Sequence, residues 1–186
     1  ILFAPSWNYD KNNFFVNHGS KLIHKLLDKN YSVILRPHPE HYKRSKETLK
    51  KIINQFGKIN QFFLDDSFSN INSMEKSEIL ITDNSGIMLE FTLTLNRPCL
   101  CFDEIKKIHN PDYKNLDIES LEDIFMKNLA KKLKISEIEN IEKHCVDVLK
   151  NSNNLQSKVI NFREKYISNI RHSIESAMDY LMSLKN

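Results

Sequence analysis

Short apolar runs alternate with helical stretches through the first hundred residues, and this alternation limits the possible folds more than any other feature. The apolar runs are residues 1–4, 32–36, 61–64, 78–82 and 98–102, and the helical stretches between them are 15–29, 47–56, 71–76 and 85–95. Each run has the length of a buried strand, and the intervening stretches suit crossovers between parallel strands. The alternation therefore predicts an α/β fold: a Rossmann-like parallel sheet of five strands flanked by helices.

The pattern changes after residue 103, where no further strand is evident. Helical stretches are expected at 120–133 and 136–150, followed by one long amphipathic helix over 155–184. Its apolar residues recur at steps of three or four: Leu155, Val159, Phe162, Tyr166, Ile170, Ile174, Met178 and Leu181. Because no repeat or Gly- and Pro-rich linker interrupts the chain, we expect one domain over 1–186. It would have an α/β core at 1–103 and a helical C-terminal part at 104–186.

Charge and hydropathy exclude several classes of protein. The 27 Lys and Arg are balanced by 24 Asp and Glu, so a nucleic-acid partner is not expected. Charged or Asn residues interrupt every apolar stretch before it could span a bilayer. The three cysteines, Cys99, Cys101 and Cys145, are expected to be reduced thiols in the cytoplasm. Because Ile1 opens directly on a strand, we expect a piece of a longer protein.

Small polar residues follow the fourth predicted strand, where Thr82 is succeeded by Asp83, Asn84, Ser85 and Gly86. In an open parallel sheet, ligands bind beyond the carboxyl ends of strands, where helix amides face outward. Gly86 lets the backbone approach a phosphate, and Ser85 offers a hydroxyl. The alternative is that Asp83, Asn84 or Ser85 merely caps the following helix.

Glu90 lies one helical turn beyond Gly86, where its carboxylate can accept hydrogen bonds from a ribose diol. The alternative is a solvent-facing helix residue.

The first and second predicted strands also end in polar turns. Arg36 and His38 are each followed by a proline, which restricts their backbones and fixes a cation and an imidazole in place. Arg36 can bind a phosphate through two hydrogen bonds, and His38 can protonate a leaving phosphate. The alternative is a purely structural turn. Ser6 adds a hydroxyl after the first strand, so three turns are expected to converge on one anion site.

Other chemistries lack their sequence signatures. His18, His24 and His41 have no spacing typical of zinc, and Cys99 and Cys101 have no matching pair nearby, so no metal is expected. Neither a dinucleotide fingerprint nor a Walker loop is present. No cofactor is expected. Lys106, Lys107 and His109 can contact a donor or an acceptor, although charged loop residues are usually only solvated.

Three segments resemble the CDP-glycerol glycerophosphotransferase family of teichoic-acid and capsule polymerases. They are residues 1–7, 36–39 and 79–91, and the resemblance extends to about Asp103. The resemblance implies that Ser6, His38, Ser85 and Gly86 lie at the donor diphosphate, with Glu90 near the nucleotide and Asp83 shaping the turn. The chain departs from the family pattern at Ser6, Asn8, Asn84, Gly86 and Glu90.

The same segments are similar to the UDP-N-acetylglucosamine 2-epimerase family, which has a His-Pro turn and a Gly-rich segment followed by Glu. Gly86 and Glu90 suit that family. Leu89 stands where its first Glu is expected, and the residues after the first strand lack its His-Arg pattern. A third hypothesis, of another class, is a non-catalytic flavodoxin-like module whose strand-end residues only cap helices.

Both resemblances imply the two-domain glycosyltransferase-B architecture, with this chain as the nucleotide-donor-binding C-terminal half. The first implies transfer of glycerol phosphate, or a related polyol-phosphate or sugar group, from a nucleotide-activated donor, with His38 as the catalytic residue. The implied partners are that donor, a surface-polymer or lipid-linked acceptor and an N-terminal acceptor domain outside this chain. The longer protein would then work in the cytoplasm, at the cytoplasmic face of the membrane, and the final helix would expose an apolar seam.

Overall fold

The structure, a computed structural model, describes residues 1–8, 13–104, 110–115 and 117–184. Six strands form one sheet: β1 (Leu2–Phe3), β2 (Val33–Leu35), β3 (Phe62–Leu64), β4 (Leu80–Asp83), β5 (Cys99–Phe102) and β6 (Lys131–Leu133). Every pairing is parallel, in the order β3-β2-β1-β4-β5-β6. The predicted Rossmann-like fold is therefore confirmed. Chain order reverses between β1 and β4, and such a switch point opens a crevice at the carboxyl edge.

Helices cover both faces of the sheet. They are α1 (Phe14–Asp28), α2 (Pro39–Arg44), α3 (Lys46–Phe56), α4 (Ile71–Glu75), α5 (Ile87–Leu95), α6 (Leu121–Asn128), α7 (Ile141–Lys150), α8 (Leu155–Tyr166) and α9 (Ser173–Ser183). Short 3-10 helices lie at Pro111–Asn115, Ile135–Asn140 and Ser152–Asn154. Among these residues, no helix is long and apolar enough to cross a membrane.

The core consists of two apolar layers, one on each side of the sheet. One layer joins α1, α3 and α7 to the sheet through residues such as Leu22, Ile52 and Cys145. The other joins α5, α6 and α8 through residues such as Phe91 and Phe125. The periodic apolar positions of α1 and α3 are thus core residues, as their spacing predicted.

The expectation that no strand follows residue 103 is wrong. Strand β6 extends the sheet beside β5, with Lys132 opposite Cys101 and Leu133 opposite Phe102. Only Leu133 of this strand is buried, so its three residues lack the apolar alternation that marks a strand. Backbone pairing with β5 produces the strand, and local side-chain pattern does not reveal it.

The single long helix expected over 155–184 is also wrong. Helix α8 ends at Tyr166 and α9 begins at Ser173, and between them Asn169 and Arg171 have positive φ values of 54° and 68°. Left-handed backbone interrupts a helix whatever the apolar spacing around it. The apolar side chains of α9, including Ile174, Met178 and Leu181, are exposed, so an apolar seam is present.

All three cysteines are free thiols and buried. Burial raises the pKa of Cys99 well above its ordinary value and that of Cys145 to about 12. Both side chains therefore pack as small neutral groups in the core.

Candidate functional site

A cavity of about 950 Å³ opens at the carboxyl edge of the sheet, beside the switch point between β1 and β4. The turns that follow β1, β2 and β4 all contribute to its lining, through Ser6, His38 and residues 84–86. The three polar turns expected to converge therefore do meet at one cavity. Their roles in binding a ligand stay predictions.

A buried carboxylate joins the ends of β1 and β4. Asp83 is 1% exposed and accepts two hydrogen bonds from Ser6, from the backbone N–H at 2.6 Å and from the hydroxyl at 2.5 Å. Ser6 has one hydroxyl proton and donates it to Asp83, so its side chain does not offer that proton to a phosphate. In this arrangement Asp83 and Ser6 fix the turn that carries Trp7 into the cavity.

His41 holds the same turn from the other side. Its Nε2 lies 3.0 Å from the backbone oxygen of Ser6, and its Nδ1 lies 3.2 Å from the hydroxyl of Ser45. Because a carbonyl oxygen only accepts, Nε2 carries a proton. The ring is fully buried and packs against Trp7 and Phe15, at centroid distances of 5.4 and 4.4 Å.

The first turn of α5 faces the cavity without a side-chain cap. Its N-cap residue is Gly86, and no side chain in the described part of the chain hydrogen-bonds to the cap position. A Cβ built on Gly86 would meet no atom within 4 Å, and its φ of −57° does not require glycine. Backbone amides at such a helix end, with open space before them, form a cradle suited to an anion. Asp83, Asn84 and Ser85 therefore provide no side-chain cap, although the backbone oxygen of Ser85 accepts a hydrogen bond from the Met88 N–H at 3.2 Å.

His38 is the N-cap residue of α2, and it lines the cavity. Its Nδ1 accepts a hydrogen bond from the N–H of Glu40 at 3.2 Å, and Pro39 occupies the first helical position. Since Nδ1 accepts, the neutral ring carries its proton on Nε2. The His-Pro pattern therefore holds the imidazole at the cavity in a defined tautomer, with the proton on Nε2.

The opposite wall of the cavity is rich in carboxylates. Glu119, Glu122 and Asp123 line it at the N-terminal end of α6, and Asp103 lines it just after β5. Among the described residues, the two lysines of the lining are both ion-paired: Lys127 with Glu119, and Lys132 with Asp103 at 3.1 Å.

No group of three or more metal-ligating side chains occurs among residues 1–8, 13–104, 110–115 and 117–184.

Arg36 lies away from the cavity. Its guanidinium donates to Asp65 at 2.6 Å, to the Ser67 hydroxyl at 3.4 Å and to the Phe68 backbone oxygen at 3.2 Å. Although burial opposes the shift, hydrogen bonds from Ser67, Ser73 and Arg36 lower the pKa of Asp65 to about 2. The structure thus places Arg36 in a hydrogen-bonded cluster with the loop after β3.

Glu90 is also outside the cavity lining. It is exposed on α5, and its carboxylate accepts a hydrogen bond from the Asn70 amide at 2.7 Å. The ribose contact expected of Glu90 stays a prediction. The expected cluster of Lys106, Lys107 and His109 lies outside the described residues.

Sequence reasoning missed three residues of this region. Asp103 directly follows β5, so the rule that directed attention to the other strand ends applies to it equally. Lys132 belongs to a strand with no apolar alternation, and His41 carries no motif of its own. Lys132 and His41 are recognised as parts of this region only from the residues that surround them in the fold.

The parallel sheet, its flanking helices and its switch-point cavity define a Rossmann-like domain of the glycosyltransferase-B fold. The solved structures that share this fold include three with TM-scores of 0.51 to 0.57. UDP-GlcNAc 2-epimerase from Neisseria meningitidis is 18% identical, with 100% of this chain and 44% of that chain covered. TarM is 15% identical, with 100% and 35% covered. The C-terminal CMP-Kdo binding domain of WaaA from Acinetobacter baumannii is 13% identical, with 87% of each chain covered.

The chain belongs to the CDP-glycerol:poly(glycerophosphate) glycerophosphotransferase family, whose sequence model matches residues 1–169. This family is one of transferases. No curated protein sequence matches the chain. The chain spans less than half the length of the epimerase and TarM structures it resembles.

Proposed function

We propose that this chain is the donor-binding half of a transferase. It would move glycerol phosphate, or a related polyol-phosphate or sugar group, from a CDP-glycerol-like donor to a cell-surface polymer. The observation that carries the proposal is the meeting of three strand-end turns at one cavity, with the uncapped N-terminus of α5 among them. Membership of the glycerophosphotransferase family supports the transferase class and the kind of donor.

One side of the cavity, formed by His38 and the N-terminal end of α5, suits the charge changes of diphosphate cleavage. When an acceptor hydroxyl attacks the distal phosphorus, its P–O bond forms as the bridging P–O bond breaks, and the bonding electrons pass to the departing nucleoside monophosphate. The Nε2–H of His38 and the amides at Ser85 and Gly86 are proposed to stabilise that growing negative charge. The proton of the acceptor hydroxyl passes to a base outside this chain.

The test is thermal stability with CDP and with UDP. A bound nucleotide stabilises the folded state, so the melting temperature of the wild-type chain is expected to rise at saturating CDP. His38→Ala and Ser85→Ala are expected to abolish the rise. The matched controls His24→Ala and Ser20→Ala, whose side chains bond to Asp28 and Gln55 away from the cavity, should retain it.

The nucleotide dependence separates the alternatives. A rise with UDP alone would favour an enzyme like the 2-epimerases over a CDP-glycerol transferase. No rise with either nucleotide would contradict the enzyme proposal and favour a binding module whose polar strand ends serve only the fold.

A further inference from the structure

The ion pair between Lys132 and Asp103 lies in the cavity wall, next to the residues that are proposed to act in the transfer reaction. Lys132 Nζ lies 3.1 Å from an oxygen of Asp103, and both residues line the cavity. Asp103 follows β5 directly, whereas Lys132 is the middle residue of β6. The pair therefore joins the carboxyl end of β5 to the neighbouring strand β6, at the edge where the donor phosphates are proposed to bind.

The strand register places Lys132 on the same face of the sheet as α5. Thr82, Cys101 and Lys132 stand side by side across β4, β5 and β6. Cys101 packs in the apolar layer that includes Phe91 of α5, so this row faces that layer. Two strand spacings, or roughly 10 Å, separate the backbone of Lys132 from that of β4. A lysine side chain can cover much of that distance toward the backbone amides of Ser85 and Gly86.

The adjacent lysine of the same strand behaves differently. Lys131 pairs with Asp147 of α7, on the opposite face of the sheet, and neither residue lines this cavity. Lys127, the other lysine of the lining within the described part of the chain, lies on α6 with 61% of its side chain exposed. Of these two lysines, Lys132 is the one that a strand holds in position.

The ion pair is of the kind that exchanges readily. The side chains of Lys132 and Asp103 are 42% and 32% exposed, and ion pairs at such exposure contribute little to stability. A diphosphate carries more negative charge than one carboxylate and presents several acceptor oxygens. It can therefore replace Asp103 as the partner of the lysine.

The geometry points to Lys132 as a further residue that binds a donor phosphate, with Asp103 as the internal competitor for its charge. This inference rests on the proposed function, because it assigns a further contact within the same site. It predicts effects of opposite sign from the two members of one ion pair. A pair that serves only the fold would give effects of the same sign, or none.

The test measures the Kd for CDP and for UDP by tryptophan fluorescence, since Trp7 is the single tryptophan of the chain and lines the cavity. Lys132→Gln is expected to weaken binding about tenfold, because a charge-assisted contact to phosphate is lost. Asp103→Asn is expected to tighten binding about threefold, because the lysine loses its competitor. Lys132→Arg, which keeps the charge, should stay within about twofold of wild type.

The control is the neighbouring ion pair between Lys131 and Asp147. Lys131→Gln and Asp147→Asn change the same residue types on the opposite face, and both should leave the Kd within about twofold. Weaker binding by Asp103→Asn, or an unchanged Kd in Lys132→Gln, would overturn this inference while the proposed function stands. A wild-type chain that binds neither nucleotide would overturn both.

Discussion

The turns after β2 and β4 both carry polar residues at a strand end, yet they differ in what their polar groups contact. After β2, Arg36 is hydrogen-bonded to Asp65, Ser67 and Phe68 of its own chain. After β4, Asp83 is bonded to Ser6, but the turn at Ser85 and Gly86 lies beside a cavity and gives α5 no side-chain cap. A polar residue at a strand end is therefore a candidate ligand contact only when the fold has not already given it a partner.

The contrast predicts that the two turns respond differently to mutation. Changes to side chains that are hydrogen-bonded within the chain, such as Arg36 and Asp83, should lower stability. Changes at Ser85 and Gly86 should lower nucleotide affinity. His38 belongs to both kinds, since its Nδ1 caps α2 while the ring lines the cavity.

The largest effect is expected from Asp83→Ala. This change leaves the N–H and hydroxyl of Ser6 without their acceptor in a buried site, and should lower the free energy of unfolding by about 3 kcal/mol. Urea unfolding followed by circular dichroism measures the loss. Asp66→Ala, at an exposed position, should change it by less than about 0.5 kcal/mol. Equal stability of the two variants would show that the Ser6 contacts do not hold the turn.

Arg36→Ala is expected to cost about 2 kcal/mol of stability, because Asp65 would keep a mostly buried charge without its cation. The Kd for CDP should stay within about twofold of wild type. Arg44→Ala, which breaks an exposed pair with Glu40, should cost less than about 0.5 kcal/mol. A large loss of CDP affinity in Arg36→Ala at unchanged stability would instead support the phosphate contact predicted for Arg36 from the sequence.

The same cluster predicts a pH dependence. The folded-state pKa of Asp65 is lowered to about 2, below its ordinary value of 3.8. Its ionised form therefore stabilises the fold above pH 3.8, and that contribution is lost as the pH falls toward 2. Between pH 5 and pH 3 the wild-type chain should lose more stability than Asp65→Asn. Parallel curves for the two proteins would contradict this assignment.

A smaller effect, in the opposite direction for stability, is expected from Gly86→Ala. The added Cβ meets no atom of the chain and the backbone is helical, so stability should be unchanged or rise slightly. Affinity for CDP should fall about tenfold, because the methyl group occupies the approach of a phosphate. Gly19→Ala is the control: there the Cβ would lie 2.9 Å from the Phe15 ring, so stability should fall.

The smallest effect is expected from Glu90→Gln. Its carboxylate bonds to Asn70 outside the cavity lining, and the amide can keep that contact after a flip. The Kd for CDP should change by less than about twofold, measured by the fluorescence of Trp7. A tenfold loss would instead support the ribose contact that the family resemblance implies for Glu90.

The sequence by itself determined the order of the first five strands, the main helix of each crossover between them and the identity of the strand-end turns, but it did not reveal the short helix α2. Apolar runs and helical periodicity are local patterns that can be read directly from the sequence. Once these apolar faces must be buried, only a few sheet topologies remain possible. The predictions failed at β6 and at the break between α8 and α9. Strand β6 forms through backbone pairing with β5, and the helix break forms at the left-handed residues Asn169 and Arg171. Neither feature has a local apolar pattern that would reveal it.

Only the tertiary structure decided which polar groups are already bonded within the chain. Asp83 and Ser6 are 77 residues apart, and Arg36 and Asp65 are 29 apart. Local spacing assigns the same role to Ser6, Arg36 and Ser85. A hydrogen bond needs a partner within about 3 Å, and that partner comes from whichever distant segment the sheet brings alongside.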